Sequence, residues 1–83
     1  MPEHRTRTAP TVSVVIPFYG DPGPAQDLVT SLRASASPHL HEVIVSDDHS
    51  PTPFPATEGV RVVRRERNGG FAAAVNSGAA AAT

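Results

Sequence analysis

The chain has 83 residues, a formal net charge of −1 and no cysteine. This length fits one small domain, which buries about 60–65% of the surface that its unfolded chain exposes. Without cysteine there are no disulfides or thiolate metal ligands, and the near-neutral charge gives no electrostatic basis for binding nucleic acid or an anionic membrane. No apolar run approaches the ~20 residues that span a bilayer, so we expect a cytoplasmic protein.

Residues 1–11 are predicted to be a flexible arm, because they are polar, contain two prolines and show no hydrophobic periodicity. The folded domain is therefore expected to span residues 12–83. Its first element is the nearly continuous β-branched run at residues 12–16. Such a run is typical of a strand buried on both faces of a parallel sheet, and Pro17 is expected to end it.

The Asp-Pro-Gly-Pro sequence at residues 21–24 predicts the start of a helix. Asp21 can cap this helix, and proline is tolerated in a first turn. Pro38 is expected to stop the helix near Ser37. Apolar residues at helical spacing predict the face that packs against the sheet: Ala25, Leu28, Val29, Leu32 and Ala36.

Two further strands and a second helix are predicted in the rest of the chain. Residues 43–45 indicate a buried strand, and residues 60–63 a shorter, more polar strand at the periphery. Three prolines between residues 51 and 55 exclude regular structure there, and the Ala-rich segment from Gly69 onward predicts a helix. The order strand, helix, strand, strand, helix indicates an α/β fold with right-handed parallel crossovers.

Polar and aromatic residues follow the first two predicted strands, at the end of the sheet where ligands bind in open parallel sheets. Tyr19 either stacks on a base or packs at the end of the first strand. Asp47 and Asp48 follow the second strand. Either Asp48 accepts a hydrogen bond from a ring N–H of uracil, thymine or guanine, or both carboxylates cap backbone N–H groups around Ser50. Adjacent residues in an extended segment point to opposite faces, so we do not expect a shared metal ion.

A third polar block, Asn68 followed by two glycines, opens the second helix. Free N–H groups and the helix dipole favour a phosphate there, unless Asn68 itself acts as the N-cap. Asn76 lies in the middle of the helix, where its amide either turns toward the site or a strand, or faces water. His39 and His41 lack cysteine or carboxylate neighbours in register, so they are not expected to share a metal.

These three blocks together resemble the family 2 glycosyltransferases, an inverting group with the GT-A fold. Residues 17–20 keep the Pro and Tyr of the family's Pro-x-Tyr-Asn but have Gly20 in place of Asn. Residues 45–50 keep both carboxylates and the serine of Val-Asp-Asp-x-Ser. The Gly-Phe-Ala at residues 70–72 is similar to the rhamnosyl- and galactofuranosyl-transferase-like branch. The pattern Asn-x-Gly-x-x-x-Ala-x-Asn-x-Gly is matched at Asn68, Gly70, Ala74, Asn76 and Gly78.

The resemblance implies that residues 12–83 form the amino-terminal half of a GT-A nucleotide-sugar-binding domain, with a Rossmann-like parallel sheet. It implies inverting transfer of a sugar from a UDP-, dTDP- or GDP-linked donor to a hydroxyl of a glycan or lipid-linked acceptor. By the same resemblance Pro17 and Tyr19 contact the nucleoside, and Asp48, beside Asp47, accepts from the base. The residues expected to border the donor's diphosphate and sugar are Asn68, Gly70 and Asn76.

Two parts of the family's catalytic machinery are absent from the sequence: the Asp-x-Asp motif that holds a divalent cation, and the later carboxylate that acts as general base. We therefore expect a truncated fragment with no catalytic residue and no metal site, which binds no cofactor alone. A full-length parent is expected to use Mg²⁺ or Mn²⁺, and its missing parts could attach it to a membrane.

Two other functional classes remain as alternatives. One is a non-catalytic module that binds a nucleotide or another protein. The other, less favoured, is a Rossmann dinucleotide-binding half-domain. That half-domain needs a Gly-x-Gly-x-x-Gly after its first strand, and the sequence after Pro17 lacks it.

Truncation also predicts how the chain behaves in solution. In the resembling fold the strand that carries the metal motif pairs with the first strand, so its absence leaves residues 12–16 with a bare apolar edge. Such an edge recruits another chain, and we expect self-association through it. The alanine-rich end at residues 79–82 lacks a C-cap and is expected to fray.

Overall fold

The computed structural model describes residues 10–35 and 37–83, so nearly all of the predicted flexible arm lies outside the described residues. The elements in chain order are strand β1 Val12–Phe18, helix α1 Gly23–Ser35, strand β2 Leu40–Asp47, strand β3 Val60–Arg64 and helix α2 Phe71–Ala81. The three strands form one parallel sheet in the order β1-β2-β3. The α/β, Rossmann-like fold is confirmed, and the more polar third strand lies at the edge of the sheet as predicted.

Strand β1 continues through Pro17 to Phe18, so the prediction that Pro17 ends it is wrong. The Asp48 N–H donates to the Phe18 carbonyl at 2.9 Å, which turns the backbone polar groups of Phe18 toward β2. Because these groups alternate sides along a strand, those of Pro17 face the other edge of β1. That edge carries no strand among the described residues, so the missing proline N–H costs no ladder hydrogen bond.

Helix α1 begins and ends close to where the sequence predicts. The Asp21 Oδ1 accepts a hydrogen bond from the Gly23 N–H, the first of the helix, at 2.9 Å, from a position one residue before the N-cap, Pro22. Ala25 and Val29 are buried against the sheet, but Leu28 is 46% exposed, and its predicted place in the core is wrong. Leu28 lies about 100° around the helix from Val29 and so falls outside the narrow buried stripe. Ala36, also predicted on this face, lies outside the described residues.

The main core lies between α1 and the sheet and is completed by the loop after β2. Residues 48–59 contain no helix or strand, as their prolines predict. Phe54 from this loop is nevertheless 5% exposed, and its ring packs edge-on against Phe18 with centroids 5.1 Å apart. A loop side chain therefore covers part of the sheet where a longer crossover would place a helix.

Helix α2 covers the opposite face of the sheet and approaches it at Gly78. A Cβ at Gly78 would overlap the side chain of Val15 and lie 3.3 Å from the Cβ of Ser46. The helix backbone therefore lies directly on β1 and β2 at this point. At the end of the chain the Thr83 N–H donates to Glu42 Oε2 at 2.7 Å, while the fraying of residues 79–82 stays a prediction.

Neither helix in residues 10–35 and 37–83 is long and apolar enough to cross a membrane. Self-association through the open edge of β1 stays a prediction.

Substitution of Gly78 by alanine is expected to destabilise the fold by about 1–3 kcal/mol, because the new methyl group must displace Val15 or lift the helix. On an exposed helix surface the same change would stabilise by roughly 0.5–1 kcal/mol, so the sign of the effect is diagnostic. Urea unfolding followed by circular dichroism measures it. Ala80→Ser, at an exposed position of the same helix, is the control. A Gly78→Ala variant at least as stable as the unmodified chain would contradict the close packing.

Candidate functional site

A cleft of about 280 Å³ lies at the carboxyl ends of β1 and β2, beside the start of α2. This is the position at which open parallel sheets bind ligands. A larger open groove of about 600 Å³ lies along α1, away from the strand ends, and we do not assign the site there. The residues that line the smaller cleft are Pro17, Phe18, Tyr19, Asp48, Asn68, Gly70, Phe71 and Ala74.

Asp48 is the most constrained side chain of the cleft. It is 4% exposed. Its Oδ1 accepts hydrogen bonds from Arg65 Nε at 2.8 Å and from the Gly69 N–H at 2.9 Å, and its Oδ2 accepts one from the Gly70 N–H at 2.7 Å. A carboxylate offers about four acceptor positions. Oδ2 therefore keeps one position that these contacts leave open.

The surroundings of Asp48 stabilise its ionised form. Burial by itself raises the pKa of a carboxyl group. At Asp48 the N–H groups of Gly69 and Gly70 and the guanidinium of Arg65 outweigh burial, and they hold the pKa below its ordinary value. The carboxylate therefore acts as a hydrogen-bond acceptor at neutral pH.

Asp48 also organises the start of α2. The N-cap of α2 is Gly70, with φ 92° and no side-chain cap hydrogen bond, so the interpretation of Asn68 as N-cap is wrong. The Asn68 side chain instead donates to the Asp48 backbone carbonyl at 3.2 Å. A buried anion near the positive end of the helix takes over the stabilising role of a cap. The helix begins at Phe71, two residues after the predicted start, because both glycine N–H groups point at this anion.

This arrangement narrows where a phosphate could lie. The two glycine N–H groups that the sequence offers to a phosphate are engaged by Asp48. The N–H groups of Phe71, Ala72 and Ala73 have no partner among the described residues. An anion bound at the start of α2 would therefore accept hydrogen bonds from these three N–H groups of the first turn.

Asp47 is fully buried and does not line the cleft. Its Oδ1 accepts from the Ser50 N–H at 2.8 Å, and its Oδ2 accepts from the Phe54 N–H at 2.9 Å and from Arg64 Nη1 at 3.0 Å. The interpretation of this carboxylate as a cap for the following loop is therefore confirmed. The Ser50 Oγ in turn accepts from the Gly20 N–H at 2.9 Å, which ties the two strand-end loops together.

Arg64 and Arg65 are functional neighbours that the sequence reasoning missed. Parallel pairing places Arg64 opposite Asp47, and the next residue along, Arg65, reaches Asp48. Arg65 Nη1 also donates to the Ala73 carbonyl at 3.3 Å and to the Ser77 hydroxyl. The available signal was an Arg-Arg pair at the end of one strand and an Asp-Asp pair at the end of another.

Two exposed aromatic rings flank the cleft. Tyr19 is 58% exposed, so the alternative of a ring packed at the strand end is wrong. Phe71 is 75% exposed, lines the same cleft and was not among the predicted site residues. Asn76 is exposed and does not line the cleft, although the family resemblance implies a place near the donor for it.

The described residues do not fit a divalent cation. No group of three or more His, Cys, Asp or Glu side chains is arranged around a common point within residues 10–35 and 37–83. Asp47 and Asp48 are directed at N–H and guanidinium donors, which leaves no pair of carboxylate oxygens for a metal. His39 and His41 bond separately, to the Pro10 carbonyl and the Thr83 hydroxyl.

Acid is expected to destabilise the fold partly through Asp48. A lowered pKa in the folded state means that the unfolded chain binds more protons, so this stabilisation exists above the ordinary pKa of about 4 and is lost as pH falls through the folded-state pKa. Glu42, whose pKa is lowered by hydrogen bonds from the Ser13 hydroxyl and then the Thr83 N–H, contributes in the same direction. Urea midpoints measured across the acidic range should therefore fall less steeply for Asp48→Asn and for Glu42→Gln than for the unmodified chain. Identical slopes would contradict the ionised, hydrogen-bonded carboxylates.

A known protein family matches most of the chain. No curated protein matches the chain. Residues 13–83 match the family model described as Glycosyl transferase family 2. The matched region contains all three polar blocks, at residues 17–20, 45–50 and 68–78, and each of them contributes residues to the lining of the cleft. With most of its length matched, this chain belongs to glycosyl transferase family 2.

Proposed function

We propose that the cleft holds the nucleotide of a nucleotide diphosphate sugar, in a glycosyltransferase that moves the sugar with inversion to an acceptor hydroxyl. The observation that carries the proposal is Asp48: a buried, ionised carboxylate on the cleft with one acceptor position left open. Three donors from three different residues fix its orientation. A fixed anion of this kind suits a ligand that offers a single N–H.

The open position on Asp48 favours particular bases. An ionised carboxylate only accepts hydrogen bonds, and a charge-assisted bond to an N–H donor is among the stronger ones available. Uracil, thymine and guanine carry an N–H on a ring nitrogen of the pairing edge, whereas the corresponding nitrogens of adenine and cytosine are acceptors. We therefore propose UDP-, dTDP- or GDP-linked donors.

The aromatic rings support a planar ligand in the cleft. Tyr19 and Phe71 are both exposed and both line it. Exposed aromatic side chains stack on bases with little regard to their identity, so these rings would add affinity while Asp48 adds selectivity. Pro17 forms part of the same wall. We extend the proposal to the rhamnosyl- and galactofuranosyl-transferase-like branch, because the Gly-Phe-Ala at residues 70–72 is similar to that branch and Phe71 lines the cleft.

The roles that we propose for the remaining site residues follow from whether each of them lines the cleft. Asn68 and Gly70 line it beside Asp48 and would border the diphosphate. Asp47 acts from behind, by holding the loop that carries Ser50. Asn76 would meet only parts of the donor or of the protein that extend past the cleft.

The proposal predicts a base preference that depends on Asp48. The chain should bind UDP, dTDP or GDP more tightly than ADP or CDP. Asp48→Asn should weaken the preferred nucleotide about ten- to a hundredfold, because a charge-assisted hydrogen bond is lost. Isothermal titration calorimetry measures both effects. Asp27→Asn, which changes an exposed carboxylate on α1, is the matched control. Equal binding of all five nucleotides, or unchanged affinity in Asp48→Asn, would overturn the proposal.

Binding and catalysis should separate in this chain. Inverting transfer needs a base for the acceptor hydroxyl and a cation for the departing diphosphate. Asp48, which lines the cleft, and Asp47 behind it are instead held by backbone N–H and arginine donors. The 83-residue chain is therefore expected to bind a nucleotide without transferring sugar, with or without Mg²⁺ or Mn²⁺. Radiolabelled donor sugars with glycan and lipid-linked acceptors test this. Metal-dependent turnover by the purified chain would contradict this assignment of roles.

A further inference from the structure

Arg65 joins the end of the sheet to α2 through a single side chain. Its Nε donates to Asp48 Oδ1 at 2.8 Å, and its Nη1 donates to the Ala73 carbonyl at 3.3 Å and to the Ser77 hydroxyl. The side chain is only 22% exposed. A guanidinium held at both ends in this way has little freedom to turn, and it fixes the carboxylate that it contacts.

The backbone at Gly69 is shaped around this guanidinium. A Cβ at Gly69 would lie 2.5 Å from Arg65 Nη2, so a larger residue would push the arginine away. The Gly69 N–H and Arg65 Nε both donate to the same oxygen of Asp48, Oδ1. The other oxygen, Oδ2, accepts only from Gly70 among the described residues. Arg65 and Gly69 thus occupy one oxygen, and the second oxygen keeps one acceptor position beside the Gly70 N–H for a ligand.

We propose that Arg65 is a positioning residue for the nucleotide donor: it turns the Asp48 carboxylate so that Oδ2 faces the cleft. This inference rests on the proposed nucleotide-binding function. Arg65 itself does not line the cleft. It acts through Asp48, and its anchors on Ala73 and Ser77 set the angle at which it does so.

No other described cation takes this role. Arg64 bonds to Asp47, the neighbouring carboxylate, and to the Ser50 carbonyl. His49 Nδ1 bonds to the Arg65 carbonyl, and Glu66 and Arg67 are exposed and do not line the cleft. Helix α2 carries no charged side chain, and the one titratable group that β1 and the residue after it contribute to the cleft lining is the Tyr19 phenol. Removing Arg65 should therefore let Asp48 take up a proton at a higher pH.

The test measures UDP, dTDP and GDP affinity as a function of pH for the unmodified chain, Arg65→Gln and Arg65→Lys. Nucleotide affinity should fall at low pH as Asp48 is protonated, and we call this part of the pH profile the acid limb. In Arg65→Gln this fall should move to higher pH, and affinity at neutral pH should also drop. Lysine keeps the charge but cannot donate to Asp48, Ala73 and Ser77 together. Arg65→Lys should therefore keep an acid limb close to that of the unmodified chain and lose affinity at neutral pH.

The matched control is Arg61→Gln. Arg61 also links β3 to α2, through its Nη1 to the Ala81 carbonyl at 2.7 Å, but far from the cleft. It should change neither the affinity nor the acid limb. Carbon-detected NMR titration of the Asp48 carboxyl in the nucleotide-free chain gives a second measurement. Its midpoint should rise in Arg65→Gln and stay in place in Arg61→Gln.

Each outcome decides between the two proposals. If the unmodified chain binds a nucleotide but Arg65→Gln leaves both the acid limb and the Asp48 titration unchanged, the role of Arg65 is overturned and the nucleotide site stands. If the unmodified chain binds none of the three nucleotides, the proposed function is overturned and the role of Arg65 falls with it. Should Arg65→Gln fail to fold, Ser77→Ala removes one anchor and keeps the pair with Asp48. Affinity equal to that of the unmodified chain in both Ser77→Ala and Arg65→Lys would also overturn the inference.

Discussion

Two adjacent buried carboxylates at the end of β2 determine the arrangement of this domain's functional end. Buried charges persist only when they are paired and hydrogen-bonded, and here each carboxylate meets an arginine and at least one backbone N–H. Asp47 gathers the loop that carries Ser50 and Phe54. Asp48 gathers the start of α2. Because neighbouring side chains of a strand point to opposite faces, one pair of residues organises both sides of the sheet.

This arrangement links the stability of the domain to its proposed activity. Helix α2 has no side-chain cap and no acidic residue in its first turn, so Asp48 supplies the negative charge that its start requires. The same carboxylate is the proposed contact for the base. A ligand that bonds to it in the folded chain stabilises the fold by mass action. The proposed site and the packing of α2 therefore depend on the same carboxylate, that of Asp48.

On the face of the sheet that α2 covers, close packing depends on a small residue. Gly78 allows α2 to lie directly on Val15 and Ser46, which brings the start of the helix within reach of the strand ends. The helix is short and rich in alanine, so little of its own side-chain volume holds it in place. Asp48 accepts from the N–H groups just before the start of the helix, and Arg61 donates to the Ala81 carbonyl at its last residue.

Local sequence patterns are enough to predict the class of fold, the order of the elements and the three polar blocks. β-Branched runs, helical spacing and proline-rich turns are local signals, and the strand-end rule places Tyr19 and Asp48 at one edge without any knowledge of contacts. Local patterns could not show that β1 runs through Pro17, because its continuation depends on which backbone groups of β1 face β2. Nor could they show that Leu28 is exposed, since the buried stripe of α1 is narrower than its apolar pattern.

The hydrogen-bond partners of the site residues depend on tertiary contacts. Parallel pairing sets Arg64 opposite Asp47, and the same register carries Arg65 to Asp48, a contact between residues 17 apart in the chain. The roles of the two aspartates follow from it: one supports the loop and the other faces the cleft. The exposure of Phe71 and the burial of Phe54 were decided in the same way. The physical reason is that a side chain's role depends on the strand or helix packed beside it, and local sequence patterns do not contain that neighbour.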